Sequence, residues 1–253
     1  ELATSEHSDE GHEGHDHAAE NAESSTIKLD STQKEMFENL EEKIAQTPDS
    51  EAKLELYDSL IHLSIKNNIP PLVARYTEKK AELVPTEVNW MLAGDNYFKA
   101  FRLSPDRPKE LVQAAIANYE RVLEMNPENL DAQTSIGVAY VEGAAQMGVM
   151  PMKGIGILKE VLNKDPKNVN AITNLGYFAI QSGQYEKAIE RFESVLSIDP
   201  QNAEAYIYLT DVYLSQDNVE KGIETLEKYK SLVNDPLVKK QVEDYIKDIR
   251  NRK

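Results

Sequence analysis

Residues 169–200 read VNAITNLGYFAIQSGQYEKAIERFESVLSIDP. Two amphipathic helices separated by a tight turn account for this stretch, with Ile172, Leu175, Gly176 and Ala179 on the first and Ala188 and Phe192 on the second. Pro200 ends it, because the residue before a proline disfavours helical geometry. The same offsets recur at intervals close to 34 residues, and a repeat of that period decides the fold.

Working outward, an earlier copy carries Trp90, Ala93, Gly94 and Tyr97, then Ala115, Tyr119 and Pro127. The next carries Ile136, Gly137 and Tyr140, then Gly154, Leu158 and Pro166. The copy after residue 200 has Tyr206, Leu209, Thr210, Tyr213, Gly222, Leu226 and a displaced Pro236. Small residues sit where two antiparallel helices must approach closely, and larger side chains there would overpack. Each helix pair leaves an apolar face open until its neighbour stacks on it. The last face needs a cap. Residues 236–252 supply one, with Leu237, Val238, Val242, Tyr245 and Ile249 expected inward.

These motifs resemble the tetratricopeptide repeat family over residues 87–236, and more loosely back to about residue 50. The resemblance implies an all-α, right-handed solenoid of antiparallel helix pairs with a C-terminal capping helix. The expected organisation is a disordered tail over 1–26, N-terminal helices forming a degenerate repeat over 27–86, repeats over 87–236 and the cap over 237–253. Two copies exceed the repeat length between their helices, around 103–110 (LSPDRPKE) and within 143–153 (GAAQMGVMPMK). Such insertions mark one edge of a solenoid and often carry function.

Upstream, Thr32 and Glu35 read as a capping box ahead of Phe37, Leu40 and Ile44. A second helix is expected from Asp49 to Lys66 on Leu54, Tyr57, Ile61 and Ile65, and Pro70-Pro71 opens a third. His62 beside that stripe reads as a partly buried structural residue.

The formal charge of −16 argues against a nucleic-acid partner, which needs clustered Lys and Arg. Residues 1–26 contain eight acids and no Lys or Arg, so half of that charge sits in the tail. With almost no large apolar residues, the tail cannot offset the entropy of ordering. His7, His12, His15 and His17 lie there among carboxylates, a donor set suited to Zn, Ni or Cu, although composition favours a solvated acidic linker. Met147, Met150 and Met152 add thioethers that suit Cu(I), or that pack a glycine-rich loop onto its neighbour. There is no cysteine, hence no thiolate chemistry. No run is apolar for the roughly 18–20 residues that span a bilayer. The chain starts at Glu1 without Met, which leaves open a removed export signal, lipid-anchor cysteine or membrane helix, and a membrane would be reached only through such an anchor.

Catalysis is not expected and no cofactor is assigned: His62 is the sole histidine outside the tail, which leaves acid–base schemes without a base. Gly154 and Gly156 follow no strand and lack the Lys-Ser or Lys-Thr of a phosphate loop.

What the resemblance implies is binding along the first helices of the repeats. Its groove positions correspond to Met91, Asp95 and Phe98; to Thr134 and Val138; to Asn170, Thr173, Asn174, Tyr177 and Gln181; and to Glu204, Ile207, Tyr208 and Asp211. Asn174 resembles the asparagine with which family members grip chaperone carboxyl tails, but Glu204 and Tyr208 stand where cations are needed. The expected partner is therefore a protein or peptide segment, neutral to basic, with apolar anchors. Tyr177 and Tyr208 could equally complete the seam inside their repeats. The leading expectation is a non-catalytic scaffold. Its rivals are a metal-handling protein using the histidine tail and methionine loop, and a constitutive subunit of a larger envelope complex. A bacterial periplasmic or envelope setting, with an N-terminal tether, follows from the resemblance alone.

Overall fold

A computed structural model describes residues 29–251, and the described residues are helical throughout, joined by short turns. The helices are α1 (Ser31–Gln46), α2 (Ser50–Lys66), α3 (Pro70–Leu83), α4 (Glu87–Leu103), α5 (Lys109–Met125), α6 (Leu130–Glu142) and the short α7 (Ala144–Met147). They continue as α8 (Met152–Lys164), α9 (Val169–Gln181), α10 (Tyr185–Ile198), α11 (Ala203–Ser215), α12 (Val219–Leu232) and α13 (Pro236–Asn251). The chain divides into two compact units after Pro151, inside the insertion expected at 143–153. Both units are built from the antiparallel helix pairs of a right-handed α-solenoid, with α13 as the C-terminal cap.

In the first unit, Phe37, Ile44, Leu60, Leu72 and Tyr76 form one apolar cluster. Further along, Tyr97 and Phe101 of α4 and Val112, Tyr119 and Val122 of α5 are fully buried. Gly94 makes that pairing close: a Cβ there would lie 2.5 Å from the Tyr119 ring. In the second unit, Ile172, Ala179, Ala188, Phe192, Val195, Leu209 and Val212 form the main core. Gly176 plays the part of Gly94, since a Cβ would lie 2.7 Å from Phe192 Cζ.

Successive pairs are joined by one recurrent device. Asn126-Pro127-Glu128-Asn129, Asp165-Pro166-Lys167-Asn168 and Asp199-Pro200-Gln201-Asn202 share the form Asx-Pro-x-Asn. The first side chain accepts from the backbone N–H two residues on, at 3.2, 3.0 and 3.0 Å. The closing asparagine caps the next helix, accepting from the N–H of Ala132, Ala171 and Ala205, each at 2.9 Å. Proline stops one helix while asparagine starts the other.

The first insertion is tied down within its own unit. Arg107, at φ 45°, places its guanidinium 4.6 Å over the Phe101 ring and reaches Glu142 Oε2 at 3.3 Å. Arg102 covers the Phe98 ring at 4.2 Å and grips the same carboxylate through Nη2 at 2.6 Å and Nε at 3.0 Å. Glu142 thus fastens the loop after α4 to the end of α6.

Several expectations need correction. The N-terminal capping box uses Asp30 and Gln33, not Thr32 and Glu35. Gln33 also donates to Asn67 Oδ1 at 2.8 Å, a tertiary bond that favours this start. On α2 the buried residues are Leu60 and Ser64; Ile65 is 60% exposed, and His62 is exposed rather than partly buried. On α13 the inward residues are Val242, Ile246 and Ile249, while Leu237 and Tyr245 face solvent. A three-residue stripe at spacings of four and three covers α12, and the other two fall off it. Met150 and Met152 are exposed rather than packed. The tail over 1–26 lies outside the described residues.

Candidate functional site: the α9–α11 face

On α9, Asn170, Asn174, Tyr177 and Gln181 recur every three or four residues and so share one helix face; on α11, Glu204, Tyr208, Asp211 and Ser215 do the same. Tyr177 and Tyr208 bring the two faces together, with ring centroids 6.0 Å apart and planes inclined by 55°. Behind them the Tyr208 ring stacks on buried Phe192, at 4.8 Å and 21°. Tyr208 therefore belongs to the seam through one ring face and to the surface through its edge and hydroxyl. Ile207, 40% exposed, adds an apolar shoulder on α11.

The polar atoms on this surface are mostly acceptors. The Tyr208 hydroxyl donates to Glu204 Oε1 at 3.1 Å. Burial, then the neighbouring Glu204 carboxylate, pushes this phenol up to about 12. Asp211 follows Tyr208 by three residues on α11, so the two share a helix face, and Tyr177 and Asp211 also push the same hydroxyl up. Asp211 stands at an open edge, yet its carboxyl is shielded enough that burial raises it above the ordinary 3.8. Asn174 Nδ2 donates to the Asn170 carbonyl at 2.9 Å and to Asn170 Oδ1 at 2.8 Å. A backbone carbonyl can only accept, so the Asn174 nitrogen is the atom engaged here, and its Oδ1 makes no hydrogen bond among the described residues. Thr173 is half-buried and Gln181 exposed.

The corresponding positions in the first unit differ. Met91 is partly exposed. Asp95 accepts from the Tyr119 hydroxyl at 2.9 Å; burial raises its carboxyl and that bond opposes the shift. Phe98 is buried against Phe101, with centroids 6.0 Å apart, so it is not a surface contact. Thr134 and Val138 are 1% and 5% exposed, so they too are corrected from groove to core. The cause is α6 itself: Ala132, Thr134, Ile136, Gly137, Val138 and Ala139 bury it on nearly every side. The run SIGVAYV, apolar or small without interruption, carried that signal in the sequence.

Sequence reasoning missed a buried polar centre in the first unit. Glu78 accepts from the Tyr97 hydroxyl at 2.6 Å and from Asn118 Nδ2 at 2.7 Å. Burial raises its carboxyl, and these two bonds partly offset the shift. A surface depression of about 780 Å³ lies between α1 and α2, with Met36, Leu40 and His62 in its lining. Glu35 and Lys66 line it as well, and it is remote in sequence from the aromatic face. Among the described residues, no three His, Asp or Glu side chains gather to hold a metal; His7, His12, His15 and His17 lie outside them. Among the same residues no helix is long and apolar enough to cross a membrane.

Profiles described as tetratricopeptide repeat match residues 179–240 and 157–190. No curated protein matches the sequence. Similar solved structures include MamA, residues 41 to the end, from Desulfovibrio magneticus RS-1. It is 18% identical at a TM-score of 0.48, over 71% of this chain and 94% of that one. YrrB, described as a TPR protein with an unusual peptide-binding site, is 21% identical at a TM-score of 0.45, over 75% of this chain and 91% of that one. MamA AMB-1 is 20% identical at 0.41, over 70% and 96%. The two profile matches together span residues 157–240, where the helix pairs α9–α10 and α11–α12 lie, so this part of the chain is built of tetratricopeptide repeats.

Proposed function

We propose that this protein is a non-catalytic scaffold that captures a segment of another protein on the α9–α11 face. The observation that carries the proposal is the meeting of two tyrosine rings between two helix faces that otherwise offer oxygen acceptors. Rigid aromatic surface with few rotatable bonds supplies contact area at low entropic cost. The carboxylates of Glu204 and Asp211 favour a neutral to basic segment, and Ile207 gives its apolar side chains a place to anchor. An anionic chain end meets like charge here, which disfavours carboxyl tails.

Photo-crosslinking in the native cells tests this. A benzophenone amino acid at Gln181 or Ile207 should trap one protein partner, and Asp211→Lys should abolish the adduct. Equal trapping from Glu190 on α10 and Glu224 on α12, with none from Gln181 or Ile207, would place the interaction elsewhere.

A further inference from the structure

We infer that the α9–α11 face contains a seat for an arginine side chain of the bound segment, formed by Asp211, Tyr177 and Tyr208. The inference rests on the binding role proposed above and adds what that face reads. The Asp211 backbone carbonyl accepts from Ser215 Oγ at 2.7 Å, while among the described residues its carboxylate accepts no hydrogen bond, which leaves both carboxylate oxygens open to a bidentate fork. Glu204 differs, because it already holds the Tyr208 hydroxyl. Asp211 lies one turn beyond Tyr208 on α11, and the half-buried Tyr177 ring, inclined by 55° to that of Tyr208, supplies the aromatic surface on the same side. A planar guanidinium can stack on one ring while its N–H edge meets Asp211, whereas an ammonium can satisfy only one demand at a time.

The surroundings reinforce the choice. Asn174 engages its nitrogen with the Asn170 carbonyl, which leaves its Oδ1 as the atom without a bond among the described residues. The atom next along the face is thus another acceptor, suited to a donor of the segment's backbone or to a second N–H. No lysine or arginine occurs among the eight residues of the two helix faces, so nothing on them supplies the charge that Asp211 lacks. The missing cation must come with the partner.

The full-length protein should be screened against a positional library of acetylated, amidated octapeptides containing arginine, lysine, citrulline, glutamine and apolar residues. At one position arginine should be selected over citrulline, which has the same shape without the charge, by about tenfold or more. Lysine should fall between them. Asp211→Asn, a change of one exposed group, should bring arginine level with citrulline while apolar selection at other positions persists. Apolar selection with no arginine position overturns the seat and leaves the groove standing, as does an arginine preference that survives Asp211→Asn. Selection of acidic residues, or of no peptide at all, overturns the groove together with the seat.

Discussion

The ring of Tyr208 lies almost flat on that of Phe192, with centroids 4.8 Å apart and planes 21° apart, while its hydroxyl reaches outward to Glu204. One side chain thereby serves the core and the surface. Tyr208→Phe keeps the stack and removes only an exposed hydrogen bond, so urea denaturation should register less than about 1 kcal/mol. Tyr208→Ala should cost about 2–3 kcal/mol, from lost ring burial and stacking. A binding defect is therefore interpretable in the phenylalanine variant and not in the alanine one.

The same phenol makes a prediction about alkaline pH. Its folded value, about 12, lies above the ordinary 10, so the folded state holds this proton more tightly than the unfolded chain does. Its contribution is complete below pH 10 and is lost as pH rises towards 12. With ring-labelled tyrosine, the Tyr208 resonance should titrate well above the ordinary 10, though before that of the more strongly raised Tyr119, and Glu204→Gln should bring it earlier. Burial remains in that variant, so the return to 10 should be partial.

Glu78 offers a second linkage with the same sign, at acidic pH. Its folded value is raised above 4.5 by burial, so its contribution is complete below 4.5 and is lost as pH rises through the folded value. Glu78→Gln removes that dependence, because the amide oxygen can accept from Asn118 and the Tyr97 hydroxyl can turn to accept from the amide nitrogen. Wild type should gain on the Gln variant as the pH of a denaturation series falls towards 4.5. Glu78→Leu should cost about 2–3 kcal/mol by removing the carboxylate that accepts from Tyr97 and Asn118, although Asn118 keeps its bond to the Ala114 carbonyl.

Glu142 supplies a test of the strap over the first insertion. Its side chain is 16% exposed and faces two guanidinium groups, whose own exposures are 49% and 38%. Solvent screens the arginines, so each pair is worth about 1 kcal/mol or less by double-mutant cycle, and Glu142→Ala should cost about 1–2 kcal/mol in all. Proteolysis should then cut near Arg107 sooner than in wild type. Unchanged cleavage would show that the Phe101 contact alone holds the loop.

The asparagine caps give a stability series. Asn168→Ala and Asn202→Ala should each lower stability by about 1 kcal/mol, and by similar amounts, because their bonds have the same length and partner type. Asn→Asp should restore most of the loss, since a carboxylate accepts the same N–H and complements the helix N-terminus.

What the sequence disclosed depended on whether the cause was local. Gly176 and Phe192 were legible because their offset follows from helix geometry and recurs copy after copy. Asp30 was not, since Asp30 with Gln33 and Thr32 with Glu35 fit the capping pattern equally, and the bond from Gln33 to Asn67 crosses thirty-four residues. Register alone placed Thr134 and Val138 in the groove, although register says nothing of how many sides of a helix are covered. The pairing of Tyr177 with Tyr208 depends on how two repeats stack, which no single repeat encodes.

The Asx-Pro-x-Asn joint has a consequence for how such a chain can change length. In the two joints of the second unit the side-chain bonds that stop one helix and start the next close within three residues, so these signals are local, whereas the first joint also donates from Asn126 and Asn129 to Glu87. A gene duplication that cuts between two joints hands down a helix pair complete with its own stop and start signals. Selection is then left to act on the stacking face alone, and the array can grow or shrink by whole cassettes without relearning how to turn.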